Sequence, residues 1–264
     1  MRFILHFLII ILFTVISQIG GVIYFFVILT ISSKKAKFKI KRLLFFSALY
    51  LTSTYIIVPN IAPKFGREKI SINTNLSSHF FLTDFLNRNY VKPELNSTLV
   101  DISKILKAKG KNIKVIYLDA NFPFIDGFPL LPHLSHNDGK KIDISFIYKD
   151  KYHKVTNSKP SITGYGIFEE PQKNEFNQIQ KCKEKGFWYY DFTKYFTLGN
   201  LHKNLSFSEK ATKALIQHII NNNATQKIFI EPHLQKRLNL NHKKIRFHGC
   251  GAVRHDDHIH FQIN

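Results

Sequence analysis

The sequence predicts an α+β domain, with a small, mainly antiparallel sheet and flanking helices, preceded by two transmembrane helices. Two long segments at the N-terminus, residues 3–32 and 43–63, lack acidic and basic side chains apart from one histidine. The rest of the chain mixes short β-type runs with segments of helical periodicity, as is typical of α+β folds. With 264 residues, of which 44% are hydrophobic, the chain is long enough for one ordinary domain and a membrane anchor.

The membrane anchor is predicted to comprise residues 1–63. About 20 apolar residues suffice to cross a bilayer, and residues 3–32 carry no charge unless His6 is protonated. Six lysines and arginines follow in residues 33–42, and short loops rich in these residues stay in the cytoplasm. Two crossings would therefore place both the short N-terminus and the large C-terminal part outside the cytoplasmic membrane.

A cleaved signal peptide is the alternative for the first apolar segment, because Arg2 precedes it. Signal peptides end at a small-x-small cleavage site, which is missing near residues 17–21, and the apolar run continues beyond that point. The sequence therefore favours two retained spans.

The charge of the chain limits its partners. Residues 1–63 hold seven basic and no acidic residues, so +13 of the net charge of +20 belongs to residues 64–264. A basic surface outside the membrane attracts anionic lipid, wall polymers or the carboxylates of peptidoglycan. Nucleic acid is the usual alternative, but the chain has no nucleic-acid-binding motif and the predicted topology denies access. The sequence leaves the oligomeric state open.

Residues 64–96 are predicted to be a juxtamembrane linker with one short helix, and residues 97–264 to be the folded domain. The linker helix would carry the apolar patch Phe80, Phe81 and Phe85. The domain would begin with a helix over residues 97–108 that ends before Gly110. Its apolar positions are Leu99, Ile102, Ile105 and Leu106.

Further elements follow from local patterns. Ser208 is a suitable N-cap for a helix over residues 209–222. Strands are predicted over residues 115–118, 227–230, 245–248 and 258–263. The aromatic residues at 187–190, 195 and 196 could line a substrate site, but such density favours the core. Cys182 and Cys250 could form one disulfide or remain two buried thiols, and the sequence leaves both possibilities open.

Two histidine-rich clusters indicate a metal site. Five histidines fall in two short segments, and alternation along a strand over residues 258–263 would point His258 and His260 to one face. Turn formers separate His136 from Asp143, which lies in another alternating run that begins at Lys141. Solvated loop histidines are the alternative, but the paired spacing favours a metal. Two scattered cysteines are too few for a closed structural zinc site, so a catalytic site is expected.

At these residues the chain resembles the LAS metallopeptidases, the group of lysostaphin, D-alanyl-D-alanine peptidases and sonic hedgehog. Their signature is H-x(6)-D followed much later by H-x-H. Within the group the chain is most similar to the penicillin-insensitive murein endopeptidases, over roughly residues 110–264. The motif H-x-x-H-x-x-G-x-x-x-D fits His133, His136, Gly139 and Asp143, and the motif H-x-x-H-x-H fits His255, His258 and His260.

The resemblance implies a hedgehog-like or DD-peptidase-like fold and a set of roles. Zinc (Zn²⁺) would be bound by His136, Asp143 and His260. His258 would be the general base, His255 would assist catalysis by stabilising the oxyanion or protonating the leaving amine, and His133 would line the site. Asp256 or Asp257 would orient an imidazole, or only shape the turn.

The implied activity is hydrolysis of amide bonds in peptidoglycan peptide cross-links, at a bacterial inner membrane with the domain facing the periplasm. A D,D-carboxypeptidase and a non-catalytic, hedgehog-like zinc-binding module that recognises cell wall or a protein partner are the alternatives. The chain departs from the family pattern at Lys140 and Lys141, where small or apolar residues are common, and it lacks the expected disulfide framework.

Overall fold

Two parts of the chain follow different residue patterns, and the computed structural model shows both. It describes residues 2–34, 36–108 and 113–264. Lys35 of the basic loop and Gly110, the predicted helix stop, lie outside the described residues. Most of the described residues up to 65 are helical, and many large apolar side chains there are exposed, whereas the remainder forms an α+β domain with mixed sheets.

The first apolar segment is a helical hairpin. Helix α1 (Arg2–Ser17) is followed at once by α2 (Gly20–Thr30), and the chain reverses at Gln18, whose φ is 60°. The lack of a side chain at Gly21 permits the close approach, because a Cβ there would lie 1.9 Å from the Thr14 Oγ1 atom. The prediction of one long span over residues 3–32 is therefore corrected. Helices of 16 and 11 residues rise only about 24 and 16 Å, which is short of the roughly 30 Å hydrocarbon layer.

The second apolar segment forms one continuous helix. Helix α3 (Phe38–Thr52), a π turn (Ser53–Ile57), α4 (Val58–Ile61) and a 3₁₀ turn (Ala62–Phe65) run on without a break. The resulting helix Phe38–Phe65 has 28 residues and rises about 42 Å. By length and composition it is the one helix among the described residues that could cross a membrane.

The hairpin also changes the expected position of the N-terminus. Helices α1 and α2 pack antiparallel, with Gly21 against Thr14 and Phe13 against Tyr24. The start of α1 and the end of α2 therefore lie at the same end of the bundle, whereas the sequence predicts that a single span separates them. Arg42 fixes this end, because its Nη2 atom donates to the carbonyls of Ile28 and Ile31, at 3.4 and 2.7 Å. The single long helix still separates the basic loop from the α+β domain.

We expect the domain to face outward. A cysteine at Ser97, which is exposed on α6 (Pro93–Ala108), should react with a membrane-impermeant maleimide in intact cells, whereas a cysteine at Ser33 should react only after lysis. The native Cys182 and Cys250 are bonded to each other, so they do not react with the maleimide. Labelling of Ser33→Cys but not Ser97→Cys from outside would reverse the orientation and remove cell wall as a substrate.

A six-stranded mixed sheet forms the centre of the domain. Its strand order is β10-β9-β11-β5-β4-β2; the three central pairings are antiparallel and the two edge pairings are parallel. Parallel neighbours require a crossover, which α6 supplies between β2 and β4 and a shorter helix supplies between β9 and β10. The strands are β2 (Leu76–Ser78), β4 (Val115–Asp119), β5 (Lys141–Ser145), β9 (Thr225–Phe229), β10 (Ile245–Arg246) and β11 (His258–Ile263).

Smaller elements surround this sheet. Two small sheets pair β1 (Glu68–Lys69) with β3 (Tyr90–Val91), and β6 (Tyr148–Lys149) with both β7 (Val155–Thr156) and β8 (Ser206–Phe207). The remaining helices are α5 (Phe81–Phe85), α7 (Gln178–Glu184), α8 (Glu209–Asn221) and α9 (Pro232–Arg237). The main core lies where α6 and α8 cover the sheet, for example Leu99 and Ile216 with Ile144.

Three sequence-based expectations differ from the structure. Residues 64–96 are more than a linker, because β2 pairs with β4 and extends the main sheet, although the short helix near Phe81 is present. Helix α6 begins at Pro93, four positions before the predicted start. The aromatic segment Trp188–Phe196 is a 3₁₀ helix, and it buries Tyr190 but leaves Trp188 76% and Tyr195 70% exposed. It is therefore only partly core.

The two cysteines form a disulfide. Cys182 on α7 bonds to Cys250, and the bond closes a loop across 68 positions of the chain. Cys250 stands a few residues before β11, so the disulfide fastens the segment that leads into the second histidine cluster.

Candidate metal centre

Strands β5 and β11 bring the two histidine clusters together. They are antiparallel neighbours, and their register places His260 directly opposite Asp143 and His258 opposite Ser145. Opposed residues of neighbouring strands have their side chains on the same face, about 5 Å apart at Cβ. Because alternate residues share a face, His258 joins His260 there. The sequence predicted that His258 and His260 share a face, and the strand register adds the Asp143 carboxylate to it.

His136 reaches the same point from the loop between β4 and β5. Its Nδ1 atom lies 2.7 Å from the Ala120 carbonyl at the end of β4 and donates to it. That bond leaves the Nε2 atom as the ring nitrogen with a free lone pair. The loop turns at Gly139, whose φ is 78° and whose N–H donates to the Asn121 side chain at 3.1 Å.

Three donor atoms form a compact triangle at this face. The His136 Nε2 atom is 3.2 Å from Asp143 Oδ1 and 3.1 Å from His260 Nδ1, and the last two atoms are 2.8 Å apart. Ligands at about 2.0–2.1 Å from a tetrahedral ion are separated by roughly 3.3 Å. The ligands expected from the sequence therefore lie close to the spacing that a tetrahedral ion requires, and all three are buried.

A second group of possible ligands shares Asp143. The His133 Nδ1 atom is 3.1 Å from Asp143 Oδ2, and the His258 Nε2 atom is 3.6 Å from Asp143 Oδ1. Together with Asp143 these histidines could also hold an ion. The Nε2 atoms of His133 and His258 have no hydrogen-bond partner in the described residues. The cluster thus offers more donor atoms than one ion with three protein ligands needs.

Asp257 orients His258. Its Oδ1 atom accepts a short hydrogen bond from His258 Nδ1, and its Oδ2 atom accepts from the Gly166 N–H at 2.6 Å. Because Asp257 holds the proton on Nδ1, the Nε2 atom of the neutral ring keeps its lone pair and can accept a proton. This Nε2 atom faces the triangle of donor atoms. The sequence left Asp256 and Asp257 as alternatives for this role. Asp256 instead accepts from Arg254 Nε at 2.7 Å.

Burial and mutual charge set the protonation states of the cluster. Burial raises the pKa of Asp143, but the charges of His136, His133 and His258 outweigh it and hold that pKa well below its usual range. Burial lowers the pKa of His260 to about 4. Burial lowers the pKa of His136, but the Asp143 carboxylate overcomes this and raises it. Because metal ligands must be an ionised carboxylate and neutral imidazoles, binding of an ion would release the His136 proton.

His258 behaves differently from the other imidazoles. Burial lowers its pKa, but the neighbouring carboxylates, Asp143 first and then Asp257, overcome this and raise the pKa to about 9. A divalent cation beside Asp143 would oppose that carboxylate and favour the neutral imidazole. By contrast, burial and the surrounding histidines lower the pKa of His255 well below its ordinary value.

His255 and His133 lie beside the triangle, where the sequence expects them. The rings of His255 and His258 have centroids 5.0 Å apart, and those of His133 and His136 are 5.5 Å apart. The His255 N–H donates to Glu231 Oε1 at 3.0 Å, so the start of α9 fixes this part of the loop.

Two further residues at the centre escape the sequence motifs. The Tyr165 hydroxyl donates to Asp143 Oδ2 at 2.8 Å, and its ring centroid lies 4.8 Å from that of His133. The exposed His248 ring lies 5.4 Å from the His255 ring and 4.3 Å from that of Phe229. The flanking glycines of Tyr165, both with positive φ, were the one local signal of a special turn there.

Together these features define the chain as an α+β protein with a buried His/Asp cluster able to hold a metal ion. No protein-family model matches the chain, and no curated protein matches it either.

Proposed function

We propose that the chain is a membrane-anchored zinc peptidase, similar to the LAS murein endopeptidases, that hydrolyses amide bonds in peptidoglycan cross-links. The observation that carries the proposal is the donor triangle of His136, Asp143 and His260 with the unpartnered His258 Nε2 atom beside it. A ligand triangle alone would suit a structural ion. Hydrolysis also requires a general base, and His258, held by the Asp257 carboxylate, is the candidate.

Zinc suits this set of ligands. Two imidazole nitrogens and one carboxylate oxygen are ligands typical of catalytic zinc, whose fourth position stays open. Bound there, zinc would polarise the scissile carbonyl and lower the pKa of a water towards about 7.

The residues around the triangle supply proton transfer and orientation. The His258 Nε2 atom would take a proton from the attacking water, while Asp257 keeps the ring in place through Nδ1. His255, neutral and 5.0 Å from His258 between ring centroids, is placed to assist the leaving amine or the oxyanion. Tyr165 holds Asp143 through its hydroxyl.

The substrate class follows from location and charge. Residues 64–264 carry +13 of the net charge, which attracts the carboxylates of wall peptides. A tether to the membrane concentrates the domain near newly made wall. Peptidoglycan is therefore the proposed partner, and nucleic acid is not.

A zinc-binding module without turnover is the second candidate. It is favoured by the burial of the cluster, since His133, the most exposed of the five residues in the two possible ligand groups, is only 3% exposed. The position of His258 favours the peptidase, because Asp257 holds it beside the triangle of His136, Asp143 and His260, where a purely structural ion has no use for a fourth imidazole.

We expect the purified full-length chain, loaded with zinc in detergent, to convert cross-linked muropeptide dimers to monomers. Chelation should stop the reaction, and β-lactams should not, because no serine is acylated in this chemistry. Mass spectrometry of the digest gives the result. Persistent dimers with loss of a terminal D-alanine would identify a carboxypeptidase. If neither the dimers nor the terminal D-alanine residues are lost while zinc is bound, the zinc-binding module becomes the better interpretation of the chain.

A further inference from the structure

An apolar cavity of about 170 Å³ lies between the metal centre and the membrane helices. Its wall comes from α5, β4 and the loop after the 3₁₀ helix Trp188–Phe196. The apolar side chains that matter here are Leu82, Leu86, Leu118, Phe196 and Leu198. The chemistry proposed above makes no use of this cavity.

The inner end of the cavity touches the metal centre. Tyr165 and Asp119 line it, and the Tyr165 hydroxyl donates to Asp143 Oδ2 at 2.8 Å. The Tyr165 ring centroid is also 5.1 Å from that of His258. A molecule that fills the cavity and extends past Tyr165 would therefore present its next atoms to the proposed ligands and base.

The outer end of the cavity adjoins the membrane helices. Leu86 lines both this cavity and a second apolar crevice, whose other walls include Phe13, Phe46 and Tyr50 of α1 and α3. The Tyr50 hydroxyl donates to the Phe85 carbonyl at 3.0 Å, which joins the helix bundle to α5. Leu86 is thus a shared wall between the cavity and the helix bundle, as Tyr165 is between the cavity and the metal centre.

The rim carries the side chains expected at a membrane surface. Leu131 is 51% and Leu198 60% exposed, and the Phe81 ring, which is 69% exposed, has its centroid 5.2 Å from that of Phe80 in the cavity wall. Contiguous exposed apolar side chains mark contact with lipid or a partner, and aromatic residues concentrate at the bilayer interface. This rim would therefore rest in the interfacial layer.

We propose that the cavity holds the head-proximal part of the hydrocarbon chain of a lipid-linked substrate, whose peptide headgroup then reaches the metal centre. The proposal rests on the proposed peptidase function and narrows its substrate to the membrane-anchored form. A peptide stem would lose hydrogen bonds to water in an apolar wall, whereas a hydrocarbon chain loses nothing. The exposed rim at Leu131 and Leu198 gives such a chain its route of entry.

Photolabelling of the zinc-loaded full-length chain tests the occupant. Vesicles of phosphatidylethanolamine and phosphatidylglycerol would contain a small fraction of lipid with a diazirine in its acyl chain, and labelled residues would be mapped by mass spectrometry. Leu118 is 2% exposed and lines the cavity, so label on it requires a chain inside. An unlabelled Leu118 overturns the proposal.

Two variants and one control sharpen this result. Leu82→Trp should fill the cavity, and Leu198→Asp should place a charge on the exposed rim; each should reduce the labelling of Leu118 by about tenfold, as excluding two methylenes would. Leu43→Trp, at an exposed position on α3, should leave the labelling unchanged. Melting temperature and zinc content must stay close to those of the unaltered chain. Unreduced labelling in both cavity variants, with the fold intact, overturns the proposal.

Competition separates a substrate from an ordinary bilayer lipid, independently of hydrolysis. A cross-link peptide carried on an isoprenyl phosphate should displace the label from Leu118, whereas the same isoprenyl phosphate without peptide should compete about tenfold less well. Equal competition would mean that the cavity holds bilayer lipid only, which overturns the proposal. Displacement by the lipid-linked peptide without its cleavage would overturn the peptidase function and leave the binding site standing.

Discussion

Replacing His136, Asp143 or His260 by alanine should remove the metal and abolish hydrolysis. Each residue supplies one corner of a donor triangle whose sides are 2.8–3.2 Å. Losing an outer partner of a ligand typically costs about 10–100-fold in metal affinity, so losing a ligand should cost more than roughly 100-fold. The unaltered chain should bind about one zinc, as a site with three protein ligands does, and each variant close to none. Elemental analysis of the purified full-length chain measures this.

His133→Ala is the matched control for these three variants. His133 also contacts Asp143, at 3.1 Å, but belongs to the other possible ligand group. We expect it to retain zinc. If His133→Ala loses the metal while His136→Ala and His260→Ala keep it, the ion binds in the second group instead. Full zinc occupancy in all three ligand variants would contradict the site altogether.

Replacing His258 by alanine should retain zinc but reduce hydrolysis by about 10²–10⁴-fold, the usual effect of removing a general base. The His258 Nε2 atom has no hydrogen-bond partner among the described residues and lies 3.6 Å from Asp143 Oδ1, so it faces the donor triangle without being one of the three proposed ligands. Initial rates on muropeptide dimers, measured at equal zinc content, test this. Near-normal turnover would transfer the role to another group, with His255 the first to examine.

Asp257→Asn provides a graded test of the same arrangement. The amide keeps the size of the side chain but loses the charged acceptor that holds His258 Nδ1. We expect a smaller loss than for His258→Ala, about 10–100-fold, with zinc retained. Asp256→Asn is the control, because Asp256 is equally buried but accepts from Arg254 rather than from His258. Asp256→Asn should lower the stability of the fold, but its rate of hydrolysis per folded molecule should stay close to that of the unaltered chain.

The metal cluster was more predictable than the surroundings that complete it. Motif spacing and strand alternation are enough to place His258 and His260 on one face. The pairing of His260 with Asp143 depends on strand register, which couples segments more than 100 positions apart. Tyr165 and His248 reach the centre from loops without a repeating pattern, so only tertiary packing brings them in.

The helical anchor shows where composition misleads. Hydropathy measures whether a segment is apolar, and residues 3–32 are uniformly so, but hydropathy does not register a chain reversal within the segment. Gly20 and Gly21 were visible in the sequence, but glycine is also frequent in spanning helices. Likewise β2 has only three residues, and its place in the sheet comes from its partner β4 rather than from its own pattern.

The bond between Cys182 and Cys250 gives the protein a dependence on where it is in the cell. Thiols stay reduced in the cytoplasm and oxidise outside it. Closing a loop across 68 positions contributes about 4 kcal/mol by restricting the unfolded chain. A newly made copy inside the cell would lack that contribution. The segment leading to His255 and His258 would then have no covalent link to α7. Export would then act as the maturation step of the proposed wall peptidase, whose activity would stay latent until the domain leaves the cytoplasm.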